Sequence, residues 1–109
     1  MRPEAAQGRN GTVAAVFVLS LELQVRIPAA RSLKDRRQAL RPILDGARHR
    51  FKVSAAEVDG QGSWQRAGLG FAVVASSHRG AVETIDAVER FVWSFPEIEV
   101  LDAIRTWSE

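Results

Sequence analysis

Residues 31–52, RSLKDRRQALRPILDGARHRFK, carry the strongest structural signal in the sequence. Ser32 is a favourable N-cap, because its hydroxyl can accept a hydrogen bond from a free amide of the first helical turn. Asp35 follows three residues later, and its carboxylate suits the positive end of a helix. Apolar residues recur at helical spacing and form one stripe: Leu33, Leu40, Ile43, Leu44, Ala47 and Phe51. The stretch therefore predicts one amphipathic helix with a basic outer face.

Two residues interrupt this helical pattern. Pro42 lacks the amide that would bond to the carbonyl of Gln38, and a proline inside a helix costs about 3 kcal/mol unless the helix bends. Gly46 adds a cost of up to about 1 kcal/mol relative to alanine. We expect either a kink between Gln38 and Pro42, or two helices with Pro42 in the first turn of the second.

Other stretches have the patterns of β-strands. In the first of them, apolar residues occupy every second position from Phe17 to Ile27. In a later one, Leu69, Phe71 and Val73 are large and alternate with small residues. The predicted strands are residues 13–27, 53–58, 67–75 and 97–104. In the last of them Ile98 and Val100 share one face, and the switch to Leu101 suggests either a bulge or the end of the strand.

A second helix completes the order of elements. Ser76 or Ser77 caps this helix, which runs to about Ser94 before Pro96 ends it. The order strand, helix, strand, strand, helix, strand predicts an α+β protein. Two right-handed strand–helix–strand units place both helices on one face of an antiparallel sheet. This is the ferredoxin-like βαββαβ sandwich, with strand order 4-1-3-2.

The composition limits the class of protein. A length of 109 residues suits one domain, which we assign to residues 13–107, with residues 1–12 as a flexible N-terminal tail. The absence of cysteine excludes a disulfide framework, a thiol nucleophile and a cysteine-ligated metal. It also fits a reducing compartment, although exported proteins without cysteine are common. No apolar run is long enough to cross a membrane, and we expect no membrane partner.

The sequence offers no set of groups for catalysis or for a cofactor. His49 and His78 are isolated from other histidines and from paired carboxylates at ligand spacing, so we expect no metal site. No nucleophile, general base and general acid stand together, and we expect no enzymatic activity and no cofactor.

The net charge of +2 conceals an uneven distribution. Residues 31–52 carry +6, whereas residues 53–109 carry −5. A basic region of this kind can contact phosphates, and RNA is the partner that we consider first. The candidate contacts are Arg31, Lys34, Arg36, Arg37, Arg41 and Arg48. The alternative is a solvated helix face, because long basic side chains also cover apolar surface where no ligand binds.

The stretch between the second and third strands has the most distinctive composition. Residues 57–66, EVDGQGSWQR, place carboxylates, amides, an indole and a guanidinium around a turn. A partner-binding tip is one interpretation, since tryptophan and arginine are enriched in interfaces. The candidate residues are Glu57, Asp59, Trp64 and Arg66. In the structural alternative, Glu57 or Asp59 pairs with Arg66 across the hairpin and Trp64 caps the core.

The sheet face opposite the helices is the open face. Its side chains are expected to be mostly small and partly apolar. Its residues on the two central strands are Val18, Ser20, Glu22, Gln24, Gly68, Gly70, Ala72 and Val74. RNA-recognition modules of this topology stack bases on aromatic residues of this face, and none is present here. A face of this kind favours close approach of another sheet, so a homodimer is an alternative.

Separated motifs resemble the small bacterial YlxP-like proteins, a family of unknown function. The motifs are SLKDRR (32–37), HRFKVSAAEVD (49–59), WQRAGLG (64–70) and FPEIEVLD (95–102), and the resemblance covers residues 17–104. The resemblance implies a ferredoxin-like fold and a bacterial cytoplasmic protein whose gene often lies near genes for translation initiation and ribosome maturation. It implies no known activity. The N-terminal extension and Pro42 depart from the family pattern.

Two hypotheses of function follow. The first is a non-enzymatic binding module that contacts ribosomal RNA or the small ribosomal subunit through the basic helix, in ribosome maturation or translation. The second is a homodimeric protein-interaction or regulatory module that does not contact nucleic acid directly.

Overall fold

The structure, a computed structural model, describes residues 16–58 and 63–108. The predicted N-terminal tail, residues 1–12, lies outside these ranges. Within them, the chain forms four strands and two helices in the predicted order. They are β1 (Phe17–Arg26), α1 (Leu33–Phe51), β2 (Ser54–Val58), β3 (Arg66–Ala75), α2 (His78–Trp93) and β4 (Glu99–Ser108).

The four strands form one antiparallel sheet in the order β2-β3-β1-β4. This is the predicted order 4-1-3-2 read from the other edge, so the α+β fold class is confirmed. β1 pairs with β3 over its whole length, from Phe17 opposite Ala75 to Arg26 opposite Arg66. β2 and β4 are the edge strands, and each lies beside one of the two central strands.

The core lies between the sheet and the helices. Every second residue of β1 from Leu19 to Val25 is buried, as the alternation predicts. Leu69, Phe71 and Val73 of β3 are also buried. The helices contribute the other side of this layer: Leu40, Ile43, Leu44 and Ala47 of α1, and Ala81, Ile85, Val88 and Val92 of α2.

The last strand contains the bulge that the sequence suggested at Leu101. Gln24 of β1 lies opposite Asp102, and the next residue, Val25, lies opposite Val100. Leu101 is therefore the extra residue of β4, which is the definition of a bulge. β4 continues to Ser108, beyond the predicted end at residue 104.

The first helix runs without interruption from Leu33 to Phe51, with Pro42 inside it. The alternative of two separate helices is therefore wrong. Ser32 is the N-cap, and its hydroxyl oxygen accepts a hydrogen bond of 3.1 Å from the backbone amide of Asp35. The helix ends at Lys52, whose φ of 58° is left-handed and allows its amide to bond the carbonyl of Arg48.

Gly46 has a packing role that offsets its low helix propensity. A Cβ atom at this position would lie 2.5 Å from Cζ of Phe91 on α2. The Phe91 ring is held in turn by edge contacts with Phe51 and Phe95, at centroid distances of 5.5 and 5.0 Å. A glycine therefore lets the two helices approach each other at this point.

The buried stripe of α1 differs from the prediction at one turn. Leu33, which the periodicity assigned to the core, is 49% exposed. Arg36 is instead buried, with 7% of its surface exposed. The reason is a tertiary contact with Glu57 of β2, because a buried arginine needs an opposite charge.

A cluster of ion pairs joins the second helix, α2, to the edge strand β4. Arg105 of β4 contacts Asp86 and Glu89 of α2, each at 2.9 Å. Burial lowers the pKa of Arg105, but the hydrogen bonds to Glu89 and Asp86 outweigh this and raise the pKa above its ordinary value. Ion pairs therefore tie each helix to one edge of the sheet.

Candidate nucleic-acid interface

Four basic residues of α1 form the basic stripe of this protein: Lys34, Arg37, Arg41 and Arg48. Because an α-helix turns by about 100° per residue, the four fall within an arc of about 60°, and they span about 21 Å along the axis. All four are exposed. The stripe lies on the side of α1 that faces β2, since Arg48 contacts this strand.

A groove runs beside the basic stripe, between α1 and the edge strand β2. It has a volume of about 220 Å³. Its lining residues, which define the basic groove, are Arg37, Leu40, Arg41, Leu44, Asp45, Arg48 and Glu57. Two leucines form its apolar floor, and its rim carries three arginines and two carboxylates, of which Asp45 is paired with Arg48 and Glu57 with Arg36.

Arg48 is held in place by the fold. Its Nε and Nη2 atoms donate to the carbonyl oxygen of Ala55, at 3.1 and 2.6 Å. Its Nη1 atom donates to Asp45 at 2.8 Å. These bonds join α1 to the edge strand, so Arg48 has less capacity for a ligand than its neighbours.

Arg37 and Arg41 differ from Arg48 in this respect. Both are exposed, and within the described ranges neither takes part in an ion pair. Lys34 has the same status one turn earlier. A ligand can therefore bind these three cations without breaking an ion pair among the described residues.

Arg36 does not belong to the basic surface, in contrast to its assignment from the sequence. Its side chain is buried and forms an ion pair with Glu57 of β2. Its Nε atom is buried and has no hydrogen-bond partner among the residues that the structure describes. The adjacent position in the sequence, Arg37, lines the groove instead.

The same ion pair corrects the interpretation of the hairpin. Glu57 was expected to pair with Arg66 across the hairpin, but its register partner is Leu69 and its carboxylate binds Arg36. Asp59, the other candidate, lies outside the described residues. Arg66 is exposed at the start of β3 and lies opposite Arg26 of β1.

Trp64 is half-exposed. Its side chain has 47% of its surface accessible just before β3 begins. A structural role and a role in binding therefore both stay predictions for this residue.

Gln65 joins the hairpin to the loop that leads into α1, and no pattern in the sequence indicated this contact. Its Nε2 atom donates to the carbonyl oxygens of Pro28 and Ala30, at 3.3 and 3.2 Å. Its own carbonyl accepts from the amide of Ile27 at 2.8 Å. The two candidate regions, the basic helix and the Trp64 hairpin, therefore meet at one end of the molecule.

The start of α1 is ordered by an exchange of hydrogen bonds. The carboxylate of Asp35 accepts from the backbone amide of Arg31 at 2.9 Å, while the amide of Asp35 bonds the Ser32 hydroxyl. This is the capping pattern that the sequence suggested, with the return bond made to Arg31. The backbone of Arg31 is therefore fixed just before the first turn of α1, and its side chain is exposed.

The described residues show neither a metal site nor a membrane-spanning helix. Residues 16–58 and 63–108 include no group of three metal-ligating side chains. None of the helices in these ranges has the length and apolar character to span a membrane.

Comparison with known proteins identifies the family. The model of a protein family of unknown function, DUF503, matches residues 18–105. The chain belongs to this family. The uncharacterised protein YlxP of Bacillus subtilis (strain 168) is 40% identical over 78 residues, which cover 72% of this chain and 85% of YlxP. The resemblance inferred from the motifs is thereby confirmed.

A solved structure shares the fold of this DUF503 member. The de novo designed protein Foldit4 superposes with a TM-score of 0.50 at 10% sequence identity, covering 86% of this chain and 99% of the designed one. At this identity the likeness shows the fold alone. The family description and the relative state no activity, so a proposal of function depends on the geometry of the site.

Proposed function

We propose that this DUF503 member is a non-enzymatic module that binds ribosomal RNA in the cytoplasm, during ribosome maturation or translation. The observation that carries the proposal is the row of exposed cations Lys34, Arg37 and Arg41 on one face of a rigid helix. The small ribosomal subunit is the assembly that we expect to contain the RNA.

The physical reason is the charge of the RNA backbone. Contacts between phosphates and basic side chains supply most of the affinity of a sequence-independent complex. Arginine suits this task because its planar guanidinium can bind two phosphate oxygens at once. The fold fixes α1 at two points along its length, since Arg36 and Arg48 both contact β2. The backbone that carries the cations is therefore preorganised, and the entropy lost when RNA binds is mainly that of the three side chains.

The dependence of binding on salt tests this proposal. About three phosphate contacts should give a slope of roughly −2 to −3 when the logarithm of affinity is plotted against that of salt. Affinity for ribosomal RNA should therefore fall by roughly 20- to 60-fold between about 50 and 200 mM salt. Filter binding or fluorescence anisotropy with purified ribosomal RNA fragments measures this slope. Binding that is absent at low salt, or insensitive to salt, would contradict the proposal.

A second candidate function is a homodimeric interaction or regulatory module, and one observation favours it. The open face carries a shallow depression of about 290 Å³, lined mostly by small apolar residues of β2 and β3. Val74 and Ile104 are 71% and 53% exposed on the same face. Monomers seldom leave large apolar patches uncovered, and a second copy of the sheet would cover this one.

The Val74→Glu variant tests the dimer. In the monomer Val74 is exposed, so the substitution should leave folding intact, but it would bury a charge at the centre of a sheet-to-sheet contact. We expect the wild-type protein to sediment as a dimer at micromolar concentration and the variant as a monomer. Leu33→Glu, an exposed position on the helical side, is the matched control and should stay dimeric. A monomeric wild-type protein would eliminate this candidate.

A further inference from the structure

Trp64 lies beside the loop through which the chain enters the basic helix. The next residue, Gln65, bonds the carbonyls of Pro28 and Ala30, and Ala30 immediately precedes Arg31. Through these bonds Gln65 is fixed to the loop before α1. Trp64, whose side chain is 47% exposed, is the preceding residue and so lies at the end of the molecule where the basic stripe begins.

Cations surround this end of the molecule. Arg31 and Lys34 are exposed where α1 begins, and Arg66 is exposed at the start of β3. Arg26 lies opposite Arg66 but is bound by Glu99 at 2.9 Å, so Arg66 is the less engaged of the two. Glu57 lies opposite Leu69 on the helix side of the sheet and is paired with Arg36, so it does not neutralise Arg66. The region thus combines an exposed aromatic ring with positive charge.

This combination is typical of surfaces that bind unpaired nucleotides. Cations follow the backbone while an aromatic side chain stacks on a base, and the stacking tolerates any base because every base has a flat face. The described residues of the open face include no aromatic ring on the central strands, so stacking on that face is disfavoured. Trp64 is an exposed ring at the end of the sheet where α1 begins.

We propose that Trp64 stacks on an unpaired base of the RNA whose backbone contacts Lys34, Arg37 and Arg41. The inference rests on the proposed function, and it adds a substrate class: an RNA with at least one unpaired nucleotide at the N-terminal end of α1. Arg66 contacts the phosphate next to the stacked base. The hairpin is then part of the RNA surface and does not bind a protein.

Two RNA probes and three variants test the proposal. The probes are a short single-stranded RNA and a blunt-ended, fully paired RNA duplex with an equal number of phosphates. Trp64→Ala should weaken binding to the single strand by about 5- to 100-fold, because that is the range for one lost stacking contact. Trp64→Phe, which keeps a ring, should retain most of the affinity. Trp93→Ala, at another exposed tryptophan on α2, is the control and should change nothing.

The RNA duplex separates stacking from a structural effect. Trp64→Ala should bind it as the wild-type protein does, since no base is free to stack. Equal losses on both probes would mean that Trp64 supports the fold of the site, and would overturn the proposal. Unchanged binding to the single strand would also overturn it and return the hairpin to the protein-partner interpretation. If stacking is overturned in this way, salt-sensitive binding of the wild-type protein would still support the proposed function. A wild-type protein that binds neither probe would contradict both the stacking and the proposed function.

A direct optical measurement adds a second readout. The chain has three tryptophans, so the double substitution Trp93→Phe and Trp107→Phe leaves Trp64 as the single indole. Stacking of a base should quench its fluorescence on addition of the single-stranded RNA. Binding of that RNA without any change in the emission of Trp64 would contradict stacking.

Discussion

Arg37→Glu combined with Arg41→Glu should reduce the affinity for ribosomal RNA by about a hundredfold or more. Each substitution removes a cation from the rim of the basic groove and places a carboxylate there. A hydrogen bond to a charged group contributes about 1.5–3 kcal/mol, and about 1.4 kcal/mol corresponds to a factor of ten. Two lost contacts therefore account for a hundredfold loss, before repulsion between the new carboxylates and the phosphates is added. Fluorescence anisotropy at low salt measures the effect.

A matched pair of substitutions shows whether position or net charge is responsible. Arg79→Glu combined with Arg90→Glu changes the charge of the chain by the same amount, at exposed positions of α2. We expect this control to bind RNA within a few-fold of the wild-type protein, because its residues lie on the other helix. Equal losses in both double variants would show that binding depends on overall charge, and the assignment of the basic stripe would be wrong.

The charge-reversed variants should remain folded. Arg37 and Arg41 are exposed, and glutamate is about as favourable as arginine inside a helix. In the double variant, carboxylates at positions 37, 41 and 45 would stand four residues apart, which gives two repulsions of about 0.2–0.5 kcal/mol each. Thermal unfolding followed by circular dichroism should therefore show only a small shift. A large loss of stability would mean that the binding result cannot be assigned to the contacts.

Gly68→Ala should lower the free energy of unfolding by about 2 kcal/mol. Glycine normally weakens a strand, so an alanine would ordinarily be neutral or better. At this position, however, a Cβ atom would lie 2.6 Å from the carbonyl oxygen of Val58 and 3.0 Å from Nε2 of Gln24. The backbone of β2 would have to move, and overpacking of this kind costs about 1–3 kcal/mol. Urea denaturation measures the difference.

Gly70→Ala is the control for this effect, two residues along the same strand. Its nearest neighbour is Cγ1 of Val58 at 3.0 Å, which is a side-chain methyl group that can rotate. We expect a loss of less than about 1 kcal/mol, because relaxation of one side chain is cheaper than displacement of a strand. If the two variants were equally stable, the close approach of β2 to Gly68 would be refuted.

The sequence predicted the layers of this fold because each layer has a periodic signal of its own. Alternation in β1 and β3 identified the residues that face the helices, and spacing in α1 identified Leu40, Ile43 and Ala47 as core. The extra residue at Leu101 was visible as a break in the alternation. Patterns of this kind are local, so they can be read without knowing what packs against them.

The features that the sequence did not predict depend on contacts between distant residues. Arginine at position 36 has the chemistry of a surface residue, and only Glu57 of β2 makes its burial possible. The side chain of Gln65 likewise bonds carbonyl groups 35 and 37 residues away. β4 extends to Ser108 partly because Trp107 stacks on His78 at 4.3 Å, a contact with α2 that no local pattern reveals.

These tertiary contacts change the composition of the candidate site. Arg36 is buried and is removed from the candidate RNA contacts. Arg48 fixes the helix against β2, and Trp64 is half-exposed. The sequence therefore located the basic helix but could not separate the arginines that serve the fold from those that face solvent. That separation is the basis of the substitutions proposed above.

Co-sedimentation of the tagged protein with ribosomal subunits from cell extract, at low and at moderate salt, tests the central claim most directly. The account predicts that the wild-type protein sediments with one subunit, the small subunit by our proposal, and that moderate salt weakens this association. It also predicts that the variant with Arg37→Glu and Arg41→Glu does not sediment with that subunit at either salt. A wild-type protein that sediments with neither subunit at low salt would contradict the account, and so would a charge-reversed variant that sediments as the wild type does.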